Sequence, residues 1–411
     1  MTTYNFDREI NRYNTSCLKY DFKGRYNKPD DVLPMWVADM DFFVPEEVTD
    51  AIKKRAEHGV YGYTIGDEAF FDSLIRWMKI RHGYETEKDW YIQTPGVVFG
   101  LAMAVRAFTN PGDAVMVQTP VYYPFYKSIE NNGRRIVKNP LIYERDQTPA
   151  YRMDYELLEE DIVKNNVKLF ILCSPHNPVG RVWTKEELIR LGDILEKHKV
   201  IMVSDEIHMD FVFGERKHHV FASLKPSYES FTITCTAPSK TFNLAGLQLS
   251  NLIVSDEKLR NELKREIACT GYAEPNIFGL VACQASYDYG AEYLEQLISY
   301  LEGNIAYIKD FVANYLPKVK VVEPEGTYLL WLDFTEYGYS AKELNYILLN
   351  EAKLWFNSGD IFGPEGEGFE RINIATSRSV IERAFSQMAN ALDKYDALAV
   401  NERIEFLKEA N

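Results

Sequence analysis

Lys168-Leu169-Phe170-Ile171-Leu172-Cys173-Ser174-Pro175-His176-Asn177-Pro178-Val179-Gly180 opens the unit that decides the fold. Its first six residues form a near-continuous apolar run, as in strands buried inside a parallel sheet. Thr184-Lys185-Glu186-Glu187 has capping-box spacing and opens a helix predicted to last to about His198. Val200-Ile201-Met202-Val203-Ser204 reads as the next strand and ends at Asp205-Glu206-Ile207-His208. Strand, helix, strand is a βαβ unit. Its polar residues fall at strand C-termini, where open α/β sheets bind ligands.

Upstream, Trp90-Tyr91-Ile92-Gln93-Thr94 is a short strand that runs into Pro95-Gly96-Val97-Val98-Phe99-Gly100 and a helix over about 101–108. Such a strand–glycine turn–helix start presents backbone N–H groups to a phosphate. It is not GxGxxG, and GxxxxGK[ST] is absent from the chain, so neither dinucleotide nor P-loop fingerprints apply. Ala114-Val115-Met116-Val117-Gln118 is a further strand, ending at Thr119-Pro120-Val121-Tyr122-Tyr123-Pro124. Downstream, two strand patterns, Phe231 to Thr236 and Leu247 to Val254, flank Ser239-Lys240-Thr241-Phe242-Asn243-Leu244-Ala245-Gly246. A lysine held between strands is desolvated, which lowers its pKa and makes it a nucleophile toward carbonyls.

Beyond Asp256 the pattern turns mostly helical, with strands expected near Lys318 to Val322, Gly326 to Leu332, Trp355 to Asn357 and Glu370 to Ala375. The expected division is an N-terminal segment 1–45 returning to the small domain, a large α/β domain 46–290 and a small α+β domain 291–411. Across 411 residues, 46% hydrophobic and 14% aromatic content supplies a substantial core. A formal net charge of −15 repels phosphate backbones and argues against nucleic acid. The five cysteines are scattered without a CxxC pair, which fits a reducing cytosol. No apolar run is long enough to span a bilayer, and the N-terminus lacks the pattern of a signal peptide. A cytoplasmic location without membrane association is the expectation.

Gly96, Val97, Val98, Tyr122, Asn177, Asp205, His208, Ser239 and Lys240 all fall at strand ends. They comprise a phosphate cradle, an aromatic plate, an amide, a carboxylate and a lysine, the inventory that holds pyridoxal phosphate. The lysine is its covalent anchor, and the carboxylate keeps the pyridine nitrogen protonated so that the ring draws in electrons. Tyr122 stacks on the ring, with Tyr123 the alternative plate. Asp205, His208 and Asp210 could instead be read as a metal set, but no further ligand is evident and no metal is expected.

In these elements the chain resembles the aspartate-aminotransferase superfamily of pyridoxal-phosphate enzymes (fold type I). Asn177-Pro178-Val179-Gly180, Asp205-Glu206-Ile207-His208 and Ser239-Lys240 stand in its order. The resemblance implies Arg378 as the clamp on the substrate α-carboxylate, with a helix-cap ion pair as its alternative role. It also implies a homodimer with shared sites, in which Tyr61 reaches the neighbouring subunit's cofactor.

Pro34-Met35-Trp36-Val37-Ala38-Asp39-Met40-Asp41-Phe42, Tyr61-Gly62-Tyr63 and Pro238 to Gly246 narrow the resemblance to the MalY/PatB-type cystathionine β-lyases. His208 stands where aminotransferases usually have a tyrosine, Gln248 where many have an arginine, and Ala237 in place of a common serine. The implied activity is α,β-elimination from L-cystathionine or L-cysteine S-conjugates. Its products are a thiol or hydrogen sulfide, pyruvate and ammonia. Lys240 acts as base, and Lys240 or a tyrosine such as Tyr122 returns a proton to the leaving group. Trp36, Tyr61 and Tyr63 are expected to shape the substrate pocket. The alternatives are an aminotransferase, or a lyase with an added protein-binding regulatory role.

Overall fold

The computed structural model describes residues 3–146 and 148–398; the end of the expected small domain, 399–411, lies outside them. A seven-stranded sheet forms the centre. Its strands are β1 (Tyr91–Thr94), β2 (Ala114–Thr119), β3 (Arg135–Pro140), β4 (Val167–Cys173), β5 (Ile201–Asp205), β6 (Thr232–Thr236) and β7 (Ser250–Ile253). They lie in the order β1-β7-β6-β5-β4-β2-β3. β7 runs antiparallel to β1 and β6, and the other pairings are parallel. β2 is buried along its whole length and β4 along nearly all of it, which is why both read as unbroken apolar runs.

Helices cover both faces. Lys185–Lys197 begins with the capping box its sequence predicts: Glu187 N–H donates to Thr184 Oγ1, and Thr184 N–H donates to Glu187 Oε2. Val97–Phe108 starts directly after Gly96 and packs closely on the sheet at Gly100, where a Cβ would come within 2.8 Å of the Leu252 side chain. Glu68–His82 opens on an Asp67 cap and closes on Gly83 at φ 67. The lysine stretch between β6 and β7 holds a helical turn, Pro238–Thr241, and a 3-10 turn, Ala245–Leu247.

A second sheet holds β8 (Lys320–Val321), β9 (Leu329–Asp333), β10 (Asn357–Ser358) and β11 (Phe369–Asn373), in the order β8-β9-β11-β10. Before it runs the 25-residue helix Ala291–Tyr315, and after it the helix Arg378–Asp396. The N-terminal segment docks here. Leu33 and Pro34 pair in parallel with Leu354 and Trp355. Asp41 is buried between Arg12 at 2.7 Å and Lys19 at 2.8 Å, so this stretch is fixed by ionic as well as apolar contacts.

Candidate active site

The C-terminal ends of the parallel strands converge on a cavity of about 190 Å³. Gly96, Val97 and Val98 enter it after β1, Tyr122 after β2, Asn177 after β4, Asp205 at the end of β5 and His208 just beyond it, and Ser239 and Lys240 after β6. The structure thus brings these nine expected residues into one place. Ala38, Pro95, Cys173, Ile207, Ala245, Gln248 and Leu249 complete the wall.

Lys240 Nζ donates to the Ala38 carbonyl at 2.8 Å, and the Tyr328 hydroxyl donates to the same oxygen at 2.9 Å. Burial pushes the Lys240 amine down to about 8; Asp39 and Asp205 pull it up, and Arg371 pushes it further down. A base that is partly neutral near physiological pH suits proton abstraction. Asp205 lies opposite, buried, and its carboxylate's one described hydrogen bond comes from Ile207 N–H at 3.2 Å. Burial raises Asp205 to about 7, against that hydrogen bond and the nearby Lys240 charge. A buried carboxylate without a cation is costly, so a protonated ring nitrogen at this point would restore its ordinary ionisation. Burial drives His208 well below the ordinary histidine value, and its Nδ1 has no hydrogen-bond partner. It is therefore a neutral ring.

Asn177 Oδ1 accepts from Arg371 Nη1 at 2.9 Å. With its oxygen taken, the amide's NH2 is the side left to donate. At the other wall, the first N–H groups of Val97–Phe108 lack intrahelical partners and suit a phosphate. Space is open at Gly96 where a Cβ would stand. A carboxylate for a ring nitrogen, a helix start for a phosphate, a tyrosine ring and a lysine amine fit pyridoxal phosphate. Asp210, the third member of the metal alternative, turns away to Thr241, His82, Arg81 and Trp77.

Arg378 is a correction. It begins the last helix, where its Nε donates to Asn304 Oδ1 at 2.8 Å and its guanidinium lies over the Tyr307 ring. It does not line the cavity. Arg371, by contrast, holds a residue of the cavity wall: it is 3% exposed and donates to Asn177 Oδ1, Trp36 O and Asn357 Oδ1. No carboxylate pairs with it among the described ion pairs, and burial lowers it to about 10. The signal for Arg371 was its place in an apolar strand, since an arginine is rarely fully buried without a purpose.

Trp36 is also corrected. Its ring stacks on Trp355 at 4.3 Å and meets Tyr26 edge-on, so only its carbonyl reaches the site, through Arg371. Tyr61 and Tyr63 stand outside this chain's own cavity. Tyr61 donates its hydroxyl to Ala56 O, and Tyr63 is 98% exposed beside exposed Val60 and Ile65. Tyr122 lines the cavity, whereas Tyr123 packs on Phe362. Tyr328 and the Ala38 carbonyl went unread: a backbone oxygen leaves no mark in a sequence.

Residues 30–388 match the family described as aminotransferase class I and II. The chain is 44% identical over 388 residues to cystathionine beta-lyase PatB of Bacillus subtilis (strain 168), covering 94% of this chain and 100% of that protein. It is 31% identical to protein MalY of Escherichia coli (strain K12), over 95% of this chain and 99% of that protein. The crystal structure of cystalysin from Treponema denticola, which contains pyridoxal 5'-phosphate, matches with a TM-score of 0.92 at 38% identity, over 96% and 100% of the two chains. The strand-end site and these likenesses agree: the chain belongs to the class I and II aminotransferase family, on its MalY/PatB-type branch.

Proposed function

We propose that the protein is a pyridoxal-phosphate-dependent carbon–sulfur β-lyase acting on L-cystathionine or other L-cysteine S-conjugates. One observation carries the reading. Lys240, an amine lowered toward neutrality, lines one cavity with Asp205 and Asn177, and Asn177 Oδ1 accepts from Arg371, a buried guanidinium without a carboxylate partner among the described ion pairs. The cofactor, when bound, supplies an electron-accepting ring. The chain's residues do the rest. Lys240 would hold the cofactor and, as a free amine, would take the substrate's Cα proton. Arg371 grips the α-carboxylate with its planar fork. Asp205 would keep the ring nitrogen charged, Tyr122 would cover the ring, and Asn177 and His208 would offer it polar contacts.

The Cβ–S bond breaks with its electron pair on sulfur, and Lys240 or Tyr122 returns a proton there. Water completes the reaction, so one conjugate and one water give a thiol, pyruvate and ammonia. Cysteine itself would give hydrogen sulfide. The likeness to PatB, named a cystathionine beta-lyase, supports elimination, while the broader family name points to amino transfer. Incubation with cystathionine, assayed for pyruvate with and without a keto-acid acceptor, separates the two: product that requires the acceptor refutes the lyase reading. Lys240→Ala is expected to abolish both turnover and the visible absorbance of the bound cofactor.

The proposal extends to a homodimer with shared sites. Val60, Tyr61, Tyr63 and Ile65 form an exposed apolar run, which suits burial against a second copy. Tyr61 and Tyr63 would then serve the partner's cavity. The division into 1–45, 46–290 and 291–411 belongs to the same reading. No helix among the described residues is long and apolar enough to cross a membrane. The five cysteines are unpaired, which suits the cytosol as the proposed location.

A further inference from the structure

The turn that carries Lys240 is only four residues long, Pro238–Thr241, and has no side-chain cap at its start. A helix of one turn has negligible stability of its own. Its geometry must come from what it touches. On one side Asn243 accepts from Met40 N–H at 2.9 Å and donates to Met40 O and Phe42 O. On the other, Thr241 Oγ1 donates to Asp210 Oδ2 at 2.6 Å.

Asp210 is buried, 4% exposed, behind the site. Its other oxygen, Oδ1, receives Arg81 Nε at 3.0 Å, His82 Nε2 at 2.9 Å and Trp77 Nε1 at 3.2 Å. All three donors sit on the last two turns of Glu68–His82. Asp210 also belongs to the short segment after β5 that carries Asp205 and His208 into the cavity. One carboxylate therefore joins the end of a long helix, the segment bearing Asp205 and the turn bearing Lys240.

We propose that Asp210 is a positioning residue for Lys240: through Thr241 Oγ1 it fixes the turn Pro238–Thr241 and so sets where the Lys240 amine stands and how dry it is kept. The inference rests on the reading of Lys240 as cofactor anchor and base. Asp210 does not touch the cavity, and it acts only through Thr241. Burial is the largest influence on the Lys240 amine. A loosened turn admits water, and hydration moves an amine back toward its ordinary range.

Thr241→Val tests this with little change of volume, and it leaves Asp210 with Arg81, His82 and Trp77. The expected result is a fall in kcat of about 10- to 100-fold with KM little changed, the effect of a misplaced base. In cofactor-free protein, acylation of Lys240 followed by mass spectrometry against pH should show its midpoint moved up by about one pH unit. Thr241→Ser restores the hydroxyl and should restore both readings. Asp210→Asn combined with Thr241→Val should lower kcat no further than the larger single change, since Asp210 reaches Lys240 only through Thr241. The proposal is overturned if Thr241→Val leaves kcat and the acylation midpoint as in the wild type, or if Thr241→Ser rescues neither. A wild type that binds no cofactor at Lys240 sinks the functional reading instead, and the two failures are told apart by the wild-type absorbance.

Discussion

Arg371→Lys and Arg378→Leu form a decisive pair. Arg371 is buried and pinned by Asn177, Asn357 and the Trp36 carbonyl. Lysine keeps the charge but loses the planar fork, so a substrate carboxylate can no longer be met by two parallel N–H groups. Loss of one hydrogen bond to a charged group is worth ~1.5–3 kcal/mol. At 1.36 kcal/mol per decade that is about 10- to 150-fold in kcat/KM. Asn177 also loses the donor that orients its amide, which places the result toward the upper end. Arg378 is half-buried and holds Asn304, whose amide in turn donates to Ile374 O and Thr376 O. Arg378→Leu should cost ~1 kcal/mol of stability, seen as a lower Tm, with kcat/KM for cystathionine unchanged within experimental spread. Both are read from steady-state pyruvate formation on cofactor-saturated protein, beside thermal melts. Collapse of kcat/KM in Arg378→Leu, with Arg371→Lys near wild type, would refute the assignment of the carboxylate grip.

Other expectations are as direct. If Tyr61 serves the partner's site, mixing inactive Lys240→Ala with inactive Tyr61→Ala and allowing exchange should restore turnover, because one site of each heterodimer is intact; a mixture no more active than its parts rejects sharing. The Asp205 carboxyl titrates at about 7 when folded against 3.8 in the open chain. Folding therefore takes up a proton between those values, and the stability this contributes to cofactor-free protein is present below about pH 4 and lost as pH rises through 7. Asp205→Asn should remove that slope and melt higher than the wild type at pH 8 without cofactor. A wild-type Tm that does not fall relative to the variant from pH 5 to pH 8 contradicts the burial argument. With cofactor bound the order should reverse, since the ring nitrogen then pairs with the carboxylate.

The sheet was legible because its strands are buried on both faces and so carry unbroken apolar runs: 168–173 could hardly be anything else once a capping box followed it. The strand-end residues were legible because polar side chains at those positions have few structural reasons to be there. What escaped followed from the limits of pattern. Arg371 and Arg378 stand seven residues apart in one short run, the first inside the expected strand and the second beyond it, and spacing cannot say which of the two faces the site. His218 stands in a charged run that suggests solvent, yet its side chain is 2% exposed and paired with Glu206 at 2.7 Å. Local composition is silent about such long-range cover.

The run Trp36 to Phe42 shows why a motif can be right about place and misleading about role. Its side chains looked like pocket walls, yet its backbone makes the contacts. The Trp36 carbonyl accepts from Arg371, those of Val37 and Asp39 from Asn373 Nδ2, that of Ala38 from Lys240 and Tyr328, and those of Met40 and Phe42 from Asn243. Six successive or near-successive carbonyls are thus spent on β11, on Tyr328 and on the stretch that carries Lys240 and Asn243. A chain engaged this way needs an exact path more than particular side chains, and the path is set by what anchors it: Trp36 on Trp355, and Asp41 between Arg12 and Lys19. Substrate discrimination then has to come from groups that point into the open mouth rather than from this strap. It follows that Trp36→Phe, which keeps an aromatic ring on Trp355, should change stability while leaving the ratio of kcat/KM between cystathionine and cysteine as it was; a changed ratio would return Trp36 to the pocket wall.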